Sequence, residues 1–223
     1  DTVRRLIEQE KIDAIFIIPD PRYWTWLFEM ESEVRKKTPI IYLNIWDNYP
    51  APLYNKTFYE SCDALLGISK QTVNINKLVL GDKAEGKVIN YVPHGVDPEI
   101  FKPLGIEKID KAYVDFETTM KQGKDINFTV LFNSRNIRRK QIPDTILAFK
   151  YFVDKLSVEE KEETMLLLHT QPVDSNGTDL NAVIDLLAPS EEGYNIHFTG
   201  GQLSAEEMNY LYNIADATIL LSS

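Results

Sequence analysis

The run Arg135-Asn-Ile-Arg-Arg-Lys140 is where this 223-residue chain concentrates groups able to do chemistry. Four of its six residues are cationic, in a chain whose formal net charge is −10. The apolar stretch Phe128-Thr-Val-Leu-Phe132 before it predicts a strand. Ile142, Ile146, Phe149, Val153 and Leu156 after it recur at helical spacing, which predicts a helix over 141–156. Cations between a strand end and a helix start sit where backbone N–H groups and the helix dipole already favour an anion. A phosphate or diphosphate group suits such a place, because fixed cations and N–H groups stabilise the negative charge on its oxygens. Arg suits planar, two-point contacts and Lys a point charge. A solvated basic turn is the other reading that charge alone leaves open.

The elements around this run alternate. Helical spacing over 2–10 precedes the apolar strand 14–18, which Pro19 and Pro21 end. A helix is predicted over 22–37, with Arg35-Lys36-Lys37 at its C-terminal end, where the dipole favours cations. Strand 40–45, helix 54–62, strand 64–68, helix 70–80 and strand 88–92 follow. Residues 104–126 break the rhythm and carry no strong strand. The alternation then resumes with strand 128–132, strand 165–169, helix 178–188, strand 195–198 and strand 217–221. Ser157-x-x-Glu160 and Ser204-x-x-Glu207 are capping boxes that each open a helix. Short apolar strands separated by helices predict parallel sheets covered on both faces. The expected fold class is therefore α/β, two βα modules joined by an irregular linker. Residues 1–104 are the first, 105–126 a connector and 127–223 the second.

Tyr91-Val-Pro-His-Gly-Val-Asp-Pro-Glu-Ile-Phe-Lys-Pro103 is a rigid, non-helical loop after a strand, since each proline removes a donor and restricts the residue before it. It resembles the "P-H-G-V-D-x-x-x-F-x-P" loop of group 1 glycosyltransferases, the retaining, glycogen-synthase-like family of GT-B architecture. Arg135-Asn-x-x-Arg-Lys140, with Ala148-Phe149, is similar to a subgroup pattern of that family. Leu168-His-Thr-x-Pro-x-Asp-x-x-Gly-x-Asp-Leu180 resembles a second, and Phe198-Thr-Gly-Gly-Gln-Leu203 with Leu211-Tyr212 and Ala215-Asp216 a third. The resemblance implies that Arg135 and Lys140 contact the donor diphosphate. It further implies that backbone at Gly201, Gln202 or Leu203 contacts the nucleotide base, and that His94 and Gly95 lie in the interdomain loop. Trp46-Asp47-Asn48-Tyr49-Pro50-Ala51-Pro52 resembles the family's "D-G-x-P-x-P" loop. Asp47 matches its acid and becomes the candidate catalytic residue, while Asn48 departs from the usual glycine. Ser69 matches a helix start, where capping is sufficient.

The resemblance also implies a first strand and glycine-rich loop ahead of residue 1, and a glutamate-bearing loop and helix beyond Ser222-Ser223. It makes the two modules Rossmann-like domains of GT-B type, both incomplete in this chain. The chain thus corresponds to the middle of the family's fold and is expected to be inactive alone. The implied reaction carries a sugar from a nucleotide-diphosphate donor to an acceptor hydroxyl of a glycan, lipid or small molecule, with retention. The resemblance implies no cofactor and no metal, and any peripheral membrane contact would come through the acceptor. Two rivals stand beside this reading: a nucleotide-sugar epimerase of the same architecture, and a non-catalytic nucleotide-sugar-binding fragment.

Composition narrows the field further. A balance of 24 basic against 34 acidic residues argues against non-specific nucleic-acid binding. Cys62 is the single cysteine, which excludes an internal disulfide and a thiolate metal cluster. No apolar run approaches the ~18 residues of a membrane span, and a cytoplasmic location is expected. The sequons at Asn55, Asn127 and Asn176 are read as chance. His169 and His197, at strand ends, are expected to be hydrogen-bonded structural imidazoles. His94 is better placed than either to meet a ligand, but a structural role is the reading expected for it as well.

Overall fold

Short, mostly apolar runs become strands, and the amphipathic stretches between them become the covering helices. The computed structural model describes residues 2–18, 20–105 and 109–222. Pro19 and Ser223 lie outside the described residues. The chain divides into unit 1, Asp1–Gly95, and unit 2, Val96–Ser223.

Unit 1 contains α1 (Thr2–Gln9), β1 (Ile15–Ile17), α2 (Thr25–Phe28), α3 (Glu31–Val34), β2 (Ile40–Asn44), α4 (Lys56–Glu60), β3 (Ala64–Gly67), α5 (Lys70–Leu80) and β4 (Val88–Tyr91). Its strands pair in parallel, in the order β1-β2-β3-β4. Alternate β2 residues Ile40, Tyr42 and Asn44 point into a core with Leu65, Ile75 and Val79. Asn44 is a polar centre in that core. It accepts from the Tyr42 hydroxyl at 3.2 Å and donates to Tyr59 at 2.8 Å and to Asn76 at 2.5 Å. The helix predicted over 22–37 is instead a 3-10 turn (Pro21–Trp24) followed by α2 and α3. Trp24 and Met30 leave helical geometry, with ψ of 21° and 8°. The Trp24 indole donates to the carbonyl of Ile18, a tertiary bond that sequence periodicity does not register.

Unit 2 contains α6 (Lys111–Met120), β5 (Phe128–Asn133), α7 (Ile142–Val153), α8 (Val158–Glu162), β6 (Thr164–His169), α9 (Leu180–Leu187), β7 (Asn195–Phe198), α10 (Ala205–Ile214) and β8 (Ala217–Thr218). The helix α6 forms within the stretch expected to be irregular, capped by the Asp110 carboxylate on the N–H of Tyr113. All pairings are parallel, in the order β7-β6-β5-β8. From β5 the chain steps outward through β6 to β7, then returns to place β8 on the other side. That reversal makes the β5/β8 boundary a topological switch point, and ligands of open α/β sheets bind beyond the strand C-termini there. Unit 1 shows no such reversal among its described strands.

Both faces of the unit 2 sheet are covered. Phe132, Leu166 and Leu168 face α7 and α9, packing on Ile142, Ile146, Phe149 and Leu180. Leu131, Met165 and Leu167 face α6 and α10, packing on Tyr113, Met120 and Leu211. The period-2 alternation of β6 thus divides the apolar run Met165–Leu168 between two cores. Strand β8 ends at Thr218, short of the expected residue 221, with Leu220 half exposed. Asp216 fixes its start: its N–H donates to the Thr129 carbonyl and its carboxylate accepts from the Thr129 N–H.

Both capping boxes form as the sequence predicts, at Ser157–Glu160 and Ser204–Glu207. Ser204→Ala should cost about 1 kcal/mol of unit 2 stability in urea denaturation, the ordinary value of an N-cap. Among the described residues, no helix is long and apolar enough to cross a membrane.

Candidate functional site

The C-terminal ends of β5, β6 and β7 open onto a cavity of about 700 Å³. Its floor is made by the last residues of those strands, Asn133, His169 and Phe198, and its walls by the loops that follow. Arg135, on the β5–α7 loop, lines one side; Gly200, Gly201 and Gln202, on the β7–α10 loop, line another. A second depression of about 220 Å³ lies at the opposite ends of the strands, around Phe128 and Thr164, and carries no cationic side chain. The larger cavity, at the strand C-termini, is thus the one with a cation, Arg135, which shares the wall with the carboxylate of Asp174.

Two loops are clasped to build this wall. The amide of Asn136 donates to the carbonyl of Thr178 at 2.8 Å and of Gln171 at 3.2 Å, and Asn136 Oδ1 accepts from the Thr178 N–H at 3.3 Å. The Arg138 N–H donates to the Asn176 carbonyl at 3.0 Å. Gly177 packs so closely that a Cβ there would lie 2.2 Å from Asn136 Oδ1 and 2.4 Å from the Asn136 carbonyl oxygen. Asn136 is 1% exposed, and its buried amide is satisfied by these loop carbonyls rather than by solvent. Arg135 completes the clasp. Its Nε donates to Asp174 Oδ2 at 2.8 Å and its Nη2 to Oδ1 at 3.3 Å. Arg135 keeps 65% of its side chain exposed, whereas Asp174 keeps 6%. The Arg135 guanidinium, followed by the Asn176 N–H, holds the Asp174 carboxyl below the usual carboxylate range.

The remaining motif residues have structural duties. Asp179 caps α9 through the Ala182 N–H, and Leu180 is fully buried. His169 pairs with the Thr199 hydroxyl at 2.7 Å, and burial pushes its imidazole below the ordinary histidine value. His197 pairs with Gln122 at 2.8 Å. Thr170, also on the cavity wall, has a hydroxyl out of contact with solvent and without a partner among the described residues. Gly200 takes φ of +76°, which an L side chain adopts only with strain, and a Cβ at Gly201 would meet nothing within 4 Å. The backbone of that loop is accordingly bare towards the cavity.

The expected site residues separate. Arg135, Gly201 and Gln202 share the cavity. Leu203 turns away and packs on the α6/α10 core. Lys140 is half-buried at the end of the 3-10 turn Arg138–Lys140 and is not among the residues lining the cavity. In unit 1, Asp47 is exposed on the loop after β2, where its carbonyl accepts from Gln71 Nε2 at 3.1 Å. His94 and Gly95 are exposed at the end of unit 1. Asp174, Asn136 and Gly177 had no role assigned from sequence. They lie in the two motifs at 135–140 and 168–180, which the clasp joins.

No family model matches the sequence, and no curated protein matches it. Solved structures do match in fold. The Candida albicans trehalose-6-phosphate phosphatase N-terminal domain aligns with a TM-score of 0.70 at 14% identity, over 99% of this chain and 52% of that one. An E. coli trehalose-6-phosphate structure bound with UDP-2-fluoro glucose aligns at 0.64 and 15%, over 95% and 52%. S. aureus MnaA in complex with UDP aligns at 0.53 and 13%, over 97% and 55%. The chain spans about half the length of these structures. Its fold is that of paired Rossmann-like domains of the GT-B kind.

Proposed function

We propose that unit 2 holds the diphosphate of a nucleotide-diphosphate sugar. On this reading the chain is part of a glycosyltransferase that moves the sugar to an acceptor hydroxyl with retention at the anomeric carbon. Arg135 meets the diphosphate, and the backbone at Gly201 and Gln202 meets the nucleotide base. Lys140 adds a longer-range positive charge, and Leu203 anchors the base-side loop to the core. Asp47 is the candidate acid of the acceptor side, and His94 and Gly95 belong to the candidate interdomain loop. Fixed cations take the charge that develops on the leaving group, so the reading invokes no metal.

One observation carries the reading: a cation, a bare glycine backbone and three parallel strand ends meet at a single cavity of about 700 Å³. That volume lies within the usual range of small-molecule sites, roughly 300–1,000 Å³. The bound UDP and UDP-2-fluoro glucose of two structures with the same fold support the choice of ligand class.

Binding is the decisive readout, because this chain covers only about half of those structures. Calorimetric titration with UDP, GDP and ADP should give saturable binding of at least one of them, tighter than its monophosphate. At a hundredfold excess over Kd that nucleotide should stabilise the protein by about 2.7 kcal/mol. Failure of all three diphosphates to bind would refute the reading.

A further inference from the structure

We propose that Asp174 is a positioning residue for the candidate diphosphate site: it acts on the ligand through Arg135, holding that guanidinium edge-on so that its free edge faces the cavity. This rests on the nucleotide-diphosphate reading above. A carboxylate on the wall of an anion site is at first sight an electrostatic error, since it repels any phosphate that enters. The geometry accounts for it. Arg135 is 65% exposed and flexible about its several side-chain bonds, so without a partner it would sample many orientations in water. Asp174 is itself fixed. Its side chain is 6% exposed, and its Oδ1 accepts from the Asn176 N–H at 2.8 Å. Asn176 in turn is held by its carbonyl to the Arg138 N–H. The carboxylate engages Nε and one hydrogen of Nη2. Nη1 and the second hydrogen of Nη2 are left, among the described residues, with no protein partner. A planar fork with one edge pinned presents the other edge in a fixed direction, which is the geometry that two-point recognition of phosphate needs.

The arrangement has a signature that neither a purely structural nor a purely electrostatic role shares. With Arg135 present, removing Asp174 frees the guanidinium and should weaken ligand binding. With Arg135 already removed, Asp174 is only a repelling charge, and removing it should strengthen binding. The sign of the effect reverses between the two backgrounds. A carboxylate that merely held the loop together would weaken binding in both; one that merely repelled would strengthen binding in both.

The test is a double-mutant cycle on the whole chain. Wild type, R135A, D174A and the R135A/D174A double variant are titrated by calorimetry with UDP and, separately, with inorganic pyrophosphate. D174N serves as the second single variant, because its side-chain oxygen still accepts from the Asn176 N–H if D174A loosens the loop. We expect D174A to weaken UDP binding about tenfold and the double variant to bind about threefold tighter than R135A. In NMR spectra the Arg135 Nε–H resonance should be protected from solvent exchange in wild type and lost in D174A. Effects of the same sign in both backgrounds, or an Nε–H equally protected in D174A, would overturn the proposal while leaving nucleotide binding intact. If wild type binds pyrophosphate but none of UDP, GDP and ADP, the nucleotide reading fails and the pyrophosphate cycle still decides the role of Asp174. If it binds neither pyrophosphate nor any of the three, both fall.

Discussion

Arg135→Ala should weaken UDP binding by on the order of 100-fold, the scale on which removal of one fixed charged donor is felt where ligand charge concentrates. Two effects combine in that loss. The guanidinium contact disappears, and the Asp174 carboxylate, 2.8 Å from the missing Nε, is left unpaired facing the incoming anion. Stability should change little, because an ion pair whose cation is 65% exposed contributes little to folding. Binding loss with an unchanged unfolding midpoint is the expected pair of results, read by calorimetry and urea denaturation. Lys140→Ala provides the contrast. Lys140 is not among the residues lining the cavity, so its charge makes no direct contact there and its loss should cost only on the order of threefold at physiological salt. Equal losses for Arg135→Ala and Lys140→Ala would contradict the geometry described here.

Gly177→Ala is expected to be the most damaging single methyl group in the chain. Its Cβ would approach Asn136 Oδ1 to 2.2 Å and the Asn136 carbonyl oxygen to 2.4 Å, distances no packed structure tolerates. The carbonyl is backbone, so relief requires the β5–α7 and β6–α9 loops to separate. We expect a loss of about 3 kcal/mol from the unit 2 transition in chemical denaturation, the upper part of the range for overpacking. UDP binding should fall with it, since parting the loops moves Asp174 away from Arg135. Asn136→Ala in the same chain removes Oδ1 but not the backbone oxygen. It should therefore relieve only part of the Gly177→Ala clash, and the two substitutions should be non-additive. A Gly177→Ala protein as stable as wild type would show that the loops are not held as described.

Most of the local architecture was legible in the sequence. Helix α5 and strand β7 fall on the expected residues, and both capping boxes close as Ser-x-x-Glu spacing requires. These features depend on neighbours within about four positions, so the chain encodes them locally. Where tertiary contacts compete, legibility ends. The stretch 22–37 has helical spacing, yet it breaks at Trp24 and Met30, with the Trp24 side chain bonded to the Ile18 carbonyl. The stretch around Tyr113 lacked strand character, yet it forms α6, because Asp110 caps it and the Tyr113–Met120 face buries against α10.

The candidate site divides along the same line. Residue types and local spacing determined by themselves that a cluster of positive charge follows a strand, that a Gly-Gly turn follows another, and that parallel α/β layers carry both. They did not rank the cations. Arg135 and Lys140 are five positions apart and looked equivalent; the direction of the chain after β5 turns one into the cavity wall and leaves the other at its flank. Nor did they reveal the partner. Asp174 lies 39 positions from Arg135, and no periodicity reports on a pair so distant. Their meeting depends on β5 and β6 lying side by side and on a glycine small enough to let two loops touch, which are properties of packing in three dimensions.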